Sequence, residues 1–371
     1  MNKSVSIIGA GRLGLCLALN LEQCGYEVIG VDVIESYVRQ LNDKTFQSPE
    51  PDVDELLRHS KKFTASTDIK TALKNDILFV VVHTPSLKSG RFDHQYIDRI
   101  VAGLVSLGVQ PNTKHLVISS TVEPGYSQTV YERLKNLNYE VVYNPEFIAQ
   151  GSIIQDQLNP DMILIGETSQ ESGKLVSEIY YDMCHSDFHL KRMGLTEAEI
   201  TKIALNCYIT TKIAFANMVG DVASKMGLDF EKILSAIGAD SRVGPKYLKY
   251  GYGFGGPCFP RDNKMFGLFC EENGVYPHIS YATDKSNQTH LINQVNEFVS
   301  KCTNNITPVL IESVTYKPNT DIIEESQKLQ FAEELARRGY NVIIRDNSNV
   351  IEKLKTIYGD RFTYEVAINV Q

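Results

Sequence analysis

The chain has no tryptophan, no CxxC pair, no apolar run long enough to cross a bilayer and no excess of basic charge. The last three absences each remove a class of function. With 37 Lys+Arg against 45 Asp+Glu the net charge is -8, whereas a general nucleic-acid binder needs clustered basic charge to displace counterions from phosphates. No nucleic-acid partner is expected, although a few placed Arg and Lys suffice for a small anion. Seven scattered cysteines (Cys16, Cys24, Cys184, Cys207, Cys258, Cys270 and Cys302) make neither a disulfide framework nor a zinc site, so no metal is expected. The run from Ile77 to Val82 stops at His83 and Pro85, well short of the roughly 18 to 20 residues of a membrane span, so no membrane insertion is expected. Met-Asn-Lys-Ser leads straight into Val5, without the segments of a secretory signal. A cytoplasmic protein is expected.

A chain of 371 residues predicts two to three domains. Its opening reads as one βαβ unit: Val5 to Ile8 as strand, Gly9-Ala-Gly11-Arg-Leu-Gly14 as a tight turn, Leu15 to Cys24 as helix, and the stretch ending at Asp32 as strand. Further short apolar runs (Ile77 to Val82, His115 to Ser119, Val141 to Tyr143, Met162 to Ile165) alternate with helical stretches. The fold class expected is α/β, with a parallel doubly wound Rossmann sheet to about residue 190. From Thr196, a candidate N-cap, to about Met226 runs the longest helical pattern, stopped by Gly227. It is apolar on several faces, which predicts that it joins two domains and buries surface against a second copy of the chain. From about Thr307 the pattern returns to strand, helix, strand, and Arg338-Gly-Tyr-Asn-Val-Ile-Ile-Arg-Asp346 echoes the stretch from Cys24 to Asp32. That predicts a small Rossmann-like lobe without the phosphate-binding glycines. The expected domains are 1-195 (dinucleotide-binding), 196-300 (long helix, helical dimerisation region and cysteine loop) and 301-371 (short nucleotide-sugar lobe).

Gly9-x-Gly11-x-x-Gly14 lets the backbone approach a pyrophosphate at a helix N-terminus. Asp32 closes the second strand and can accept from a ribose diol, and Val33 and Ile34 offer no cation for a 2′-phosphate, so NAD is expected over NADP. Four glycines lie in the six positions from Gly251 to Gly256, followed by Cys258, Pro260, Arg261 and Asp262. Pro260 suits the first turn of a helix to about Glu272. This places Cys258 at a helix N-terminus beside a cation, conditions that favour a thiolate nucleophile; a buried structural cysteine is the alternative. Lys202 and Asn206 share a helix face and can serve an oxyanion or a proton relay, or be solvated. Glu146 in Asn144-Pro145-Glu146-Phe147 and Ser120-Thr121 both follow strands, at the sheet end where doubly wound folds bind ligands. Spacing alone does not separate those roles from loop structure.

Together these motifs resemble the nucleotide-sugar 6-dehydrogenase family, the UDP-glucose and GDP-mannose dehydrogenases, and Asp240-Ser-Arg242-Val-Gly244 resembles the UDP-glucose branch. The resemblance implies oxidation of UDP-glucose to UDP-glucuronate with two NAD per sugar, for surface polysaccharide or a related pathway. It implies that Cys258 captures an aldehyde as a thiohemiacetal, which is oxidised to a thioester and hydrolysed. It implicates Lys202, Asp262 and a water near Thr121 in proton removal, Glu146 and Asp262 in hydrolysis, and Lys202 and Asn206 at the oxyanions. On the cofactor side it implies Gly9, Gly11, Arg12, Leu13, Gly14, Asp32, Thr84, Pro85, Ser120 and Thr121. On the substrate side it implies Phe147, Ile148, Lys202, Asn206, Arg242, Lys246, Tyr247, Lys249, Gly255 and Lys317, with Arg242 reaching across a homodimer formed on the long helix.

The chain departs from the family at Gln150, where an acid is usual, and at Ser313 and Glu324, where Gly and Arg are usual. It stops at Gln371, where the family continues through a Thr-Glu-Trp segment, so a shortened nucleotide lobe is expected. The alternatives are the same chemistry on a UDP-N-acetyl-hexosamine or GDP-mannose, and a catalytically impaired nucleotide-sugar-binding protein. A two-electron β-hydroxyacid dehydrogenase has no use for Cys258.

Overall fold

A computed structural model describes residues 3–302, 307–318 and 320–367. Asn319 of the stretch from Tyr316 to Thr320 lies outside the described residues, as does the chain end at Gln371. By its internal contacts the chain divides into two units, Met1–Lys202 and Ile203–Gln371.

In chain order the first unit runs β1 (Ser4–Ile8), α1 (Arg12–Gln23), β2 (Glu27–Val31), α2 (Glu35–Asn42), α3 (Val53–His59), β3 (Phe63–Ser66), β4 (Ile77–Val80), α4 (Gln95–Ser106), β5 (Lys114–Ile118), α5 (Tyr126–Leu134), β6 (Tyr139–Tyr143), α6 (Ile153–Leu158), β7 (Met162–Glu167), α7 (Gln170–Met183) and β8 (His189–Met193). It ends within α8 (Leu195–Lys225). The eight strands form one sheet in the order β3-β2-β1-β4-β5-β6-β7-β8. Alternation decides its burial: Phe79, Val117 and Val142 enter one core while Leu78, Val80, Leu116, Ile118 and Val141 enter another. Because successive side chains point to opposite faces, strands apolar at every position are covered on both sides.

The expectation of a parallel sheet needs one correction. β6 and β7 pair antiparallel, Val142 opposite Glu167 and Tyr143 opposite Gly166, and the other pairs run parallel. An apolar run reads alike in either direction, so composition carries no signal of this reversal. Strand β3 was not among the expected elements, for only Phe63 of its four residues is buried.

Helix α8 has 31 residues, roughly 46 Å of rise. It begins at Leu195, so Thr196 lies in its first turn instead of capping it, and Gly227 follows its end at φ +67°. The second unit continues with α9 (Phe230–Ala239), α10 (Phe259–Glu272), α11 (His278–Lys301), β9 (Val309–Glu312), α12 (Gln327–Arg337), β10 (Val342–Asp346), α13 (Ser348–Tyr358) and β11 (Thr363–Val366). Strands β11-β10-β9 form a parallel sheet over their own core, the expected small lobe. Its echo of the opening is physical, since Gly25 and Gly339 both follow a helix at φ near +90° (+91° and +87°). The matching aspartates differ: Asp346 is buried and accepts from the N–H groups of Val314 and Asn347, which commits it to holding its own lobe.

Candidate active site

The turn after β1 shows a separate reason for each of its three glycines. Gly9 has φ +95°, and a Cβ there would lie 2.3 Å from the Val81 carbonyl oxygen. At Gly14 a Cβ would lie 2.1 Å from the Gly9 oxygen, so only glycine lets α1 pack this close. Gly11 is different, because nothing lies within 4 Å of the Cβ position; the space above the α1 N-terminus is open to a ligand. Tyr37 Oη braces the turn by donating to the Ala10 carbonyl at 2.7 Å. Leu13 packs against the core. Asp32 follows β2 and accepts from the Ile34 N–H at 3.2 Å. Open backbone at Gly11, the α1 dipole and an acid at the second strand end fit a dinucleotide's pyrophosphate and ribose.

Arg12 opens α1 but turns toward the loop after β6, donating to Gln150 Oε1 at 2.6 Å. The buried Glu50 lies 3.8 Å from the same guanidinium and accepts from the Gly151 N–H. Glu50 was not among the sequence candidates. Its partners Arg12 and Gly151 lie 38 and 101 positions away, beyond any local pattern.

At the ends of β4 and β5, Thr84 Oγ1 donates to the Thr121 carbonyl at 2.7 Å, and Ser120 Oγ donates to the Val82 carbonyl at 2.7 Å. The Pro85 carbonyl accepts from the Asp93 N–H. These residues thus stand together at one end of the sheet. Glu199 steadies the next segment: it is fully buried and its carboxylate accepts from the N–H groups of Gly125 and Ser127 at the start of α5. Burial pushes its carboxyl above the usual range, against the lowering effect of those hydrogen bonds.

Glu146, Phe147 and Lys202 form a second group. Lys202 Nζ donates to the Glu146 carbonyl at 2.5 Å and sits 4.3 Å from the centre of the Phe147 ring. The Glu146 carboxyl accepts from Gln157 Nε2 at 3.3 Å, and Gln157 is itself held by Asn20. Removal from water pushes the Glu146 carboxyl up to about 7, with Gln157 and Lys202 opposing. Such a carboxyl exchanges protons near neutrality. Ile148 packs against the core beside this group.

In the second unit, Cys258 is the N-cap of α10, with Pro260 in the first turn, as expected. It is the one exposed cysteine of the seven. One turn on, Asp262 is 1% exposed; it accepts from Asn206 Nδ2 at 2.7 Å and from Arg261 Nε at 3.2 Å, and its N–H donates to the Cys258 carbonyl. The glycines before Cys258 answer to the chain itself. A Cβ at Gly255 would meet the Glu325 oxygen at 2.1 Å, at Gly256 the Tyr316 ring at 2.4 Å, and at Gly253 Asn287 Oδ1 at 2.1 Å. Asn287 also bridges the N–H and carbonyl of Phe254.

Gly255 and Lys317 line one small cavity of about 80 Å³, with Tyr252, Thr315 and Gln327. Arg242, Lys246, Tyr247 and Lys249 are not among its lining residues. Arg242 is exposed and held by Asp240 within its own turn at 2.7 Å; Lys246, Tyr247 and Lys249 are exposed, Tyr247 at φ +63°.

A doubly wound sheet with a glycine phosphate cradle after its first strand defines the class, a dinucleotide-dependent dehydrogenase fold. Comparison with known proteins narrows it. Residues 3–184 match the UDP-glucose/GDP-mannose dehydrogenase family NAD binding domain, and 196–289 match the central domain of the same family. UDP-glucose 6-dehydrogenase TuaD of Bacillus subtilis is 28% identical over 98% of this chain and 79% of its own, and the UDP-glucose 6-dehydrogenase of Rickettsia bellii is 29% identical over 97% and 85%. The solved UDP-glucose dehydrogenase of Pyrobaculum islandicum superposes with a TM-score of 0.87 at 30% identity, covering 98% of this chain and 86% of that one. The chain belongs to the UDP-glucose/GDP-mannose dehydrogenase family, and its cofactor is NAD.

Proposed function

We propose that the protein oxidises the primary alcohol of UDP-glucose to the carboxylate of UDP-glucuronate, with Cys258 as nucleophile. The observation that carries the reading is an exposed thiol at the N-cap of α10, one turn before a buried Asp262 held by Asn206. NAD, when bound, supplies the hydride acceptor, twice per sugar. Gly9, Gly11, Arg12, Leu13 and Gly14 form its phosphate cradle, Asp32 takes the ribose diol, and Thr84, Pro85, Ser120 and Thr121 border it.

In the first oxidation the alcohol loses its proton to a water held at Thr121, with Lys202 and Asp262 assisting. The Cys258 thiolate adds to the aldehyde carbon and the oxygen takes a proton, giving a thiohemiacetal that keeps the aldehyde from escaping. A second oxidation of that carbon leaves a thioester. Water adds with Glu146 receiving its proton, Lys202 and Asn206 stabilise the oxyanion, and collapse returns the thiolate and releases the carboxylate. Asp262 assists this hydrolysis. Phe147, Ile148, Gly255 and Lys317 bind the sugar nucleotide. We assign 1-195 to the cofactor, 196-300 to catalysis and dimerisation, and 301-371 to the nucleotide.

We assign Arg242 to a sugar nucleotide held by a second copy of the chain, and Lys246, Tyr247 and Lys249 to the length of the nucleotide; all four are exposed. The face of α8 carrying Leu205, Tyr208, Phe215, Met218 and Val222 is exposed and apolar, which supports this assembly.

The test is Cys258→Ala with UDP-glucose and NAD, products resolved by mass spectrometry. The reading predicts no UDP-glucuronate from the variant and full conversion by the wild type. Carboxylate production by the variant, or wild-type turnover of UDP-N-acetylmannosamine or GDP-mannose but not UDP-glucose, overturns it.

A further inference from the structure

Gly251 opens the loop that leads to Cys258, and both of its backbone groups are held by side chains. Its N–H donates to Asn217 Oδ1 at 3.1 Å; its carbonyl accepts from Gln294 Nε2 at 3.0 Å and lies 2.6 Å from His290 Nε2. His290 is 2% exposed. Its other ring nitrogen, Nδ1, lies 2.8 Å from Asp221 Oδ1. Asp221 also accepts from Tyr250 Oη at 3.1 Å and, through Oδ2, from Asn293 Nδ2 at 2.9 Å.

A carbonyl oxygen only accepts, and an ionised carboxylate only accepts. Apart from His290, Asp221 takes donors on both oxygens, Tyr250 Oη on Oδ1 and Asn293 Nδ2 on Oδ2, the bonding of an ionised carboxylate. Both nitrogens of His290 therefore face acceptors. Either neutral tautomer would aim a ring lone pair at an oxygen lone pair.

We propose that His290 is a positioning residue, held as an imidazolium between Asp221 and the Gly251 carbonyl, and that this buried ion pair fixes the start of the loop carrying Cys258. The groups around it agree in sign. Asp221 faces the ring from α8, the Tyr250 ring meets it edge-on at 5.5 Å, and the polar neighbours Asn217, Asn293 and Gln294 are neutral. Glu297, further along α11, adds negative charge near Asp221 and Tyr250 and is engaged by Ser224 and Lys301. The catalytic consequence rests on the function proposed above; the state of the ring does not.

The experiment is long-range ¹H–¹⁵N correlation of the ¹⁵N-histidine-labelled full chain at about pH 7.5, where an unperturbed histidine is mostly neutral. The His290 signal is assigned by its loss in His290→Gln, or by contacts to the Tyr250 ring if that variant does not fold. Two protonated-type nitrogens are expected; a pyridine-type nitrogen overturns the proposal. Hydrogen exchange of 251–256, corrected for intrinsic rates, supplies the second readout. Asp221→Asn should speed it about tenfold, the value of one charge-assisted hydrogen bond, and raise the KM for UDP-glucose more than it lowers kcat. Unchanged exchange in a folded Asp221→Asn overturns the positioning role. The spectra and the exchange need neither sugar nor turnover, so they stand even if the substrate assignment fails.

Discussion

Lys202 Nζ donates to the backbone carbonyl of Glu146 at 2.5 Å and sits over the Phe147 ring, while the carboxyl of the same glutamate accepts from Gln157. Burial outweighs the lowering effects of Gln157 and of the Lys202 charge, and the carboxyl is pushed up to about 7.

A pH dependence follows. A carboxyl raised from 4.5 to about 7 on folding binds its proton more tightly in the folded state, so stability falls as pH rises between those values and the full cost stands above pH 7. Glu146→Gln should therefore stabilise the protein above pH 7 by about 1–3 kcal/mol and leave it unchanged below pH 4.5. Thermal melts across that range check it. The same variant should lower kcat by about 100-fold or more and remove the acidic limb of the rate profile near pH 7.

The glycine turn separates fold from cofactor. Gly9→Ala and Gly14→Ala drive a Cβ into the Val81 and Gly9 oxygens and should cost at least about 2 kcal/mol. Gly11→Ala meets nothing, so its melting temperature should hold while NAD affinity falls roughly tenfold or more. Melting curves with NAD titrations distinguish the two outcomes.

Glu199 holds two N–H groups at the start of α5 from a fully buried position. Glu199→Ala leaves both unmet and should destabilise by about 1–3 kcal/mol per orphaned group at most, read by denaturant unfolding. Glu199→Gln keeps one acceptor and should lose less.

How far these features could be read in advance depended on how locally each was determined. The phosphate turn was legible because its three glycines and Asp32 lie within one βαβ unit, and α10 because Pro260 and Cys258 mark its start. The antiparallel β6–β7 pair was not, since direction leaves no trace in composition. Glu325, Tyr316 and Asn287 press on the glycines before Cys258, contacts that only the folded second unit shows. Glu50, Glu199 and the Asp221–His290 pair were missed for a related reason. Each is a polar residue inside or beside a helical pattern whose partner lies some 70 or more positions away.

The exposed face of α8 predicts the assembly. Phe215→Glu with Met218→Glu places charge where apolar surface is exposed and should convert a dimer to a monomer in sedimentation velocity without loss of helix content. A wild-type chain that sediments as a monomer at the same concentration contradicts this.

The central claim is that one thiol carries one sugar through two oxidations. It is tested most directly by the NADH formed per UDP-glucose consumed, with NAD in excess and sugar limiting. The account predicts two NADH per sugar and UDP-glucuronate as product. One NADH per sugar with a released aldehyde, or none at any sugar concentration, contradicts it.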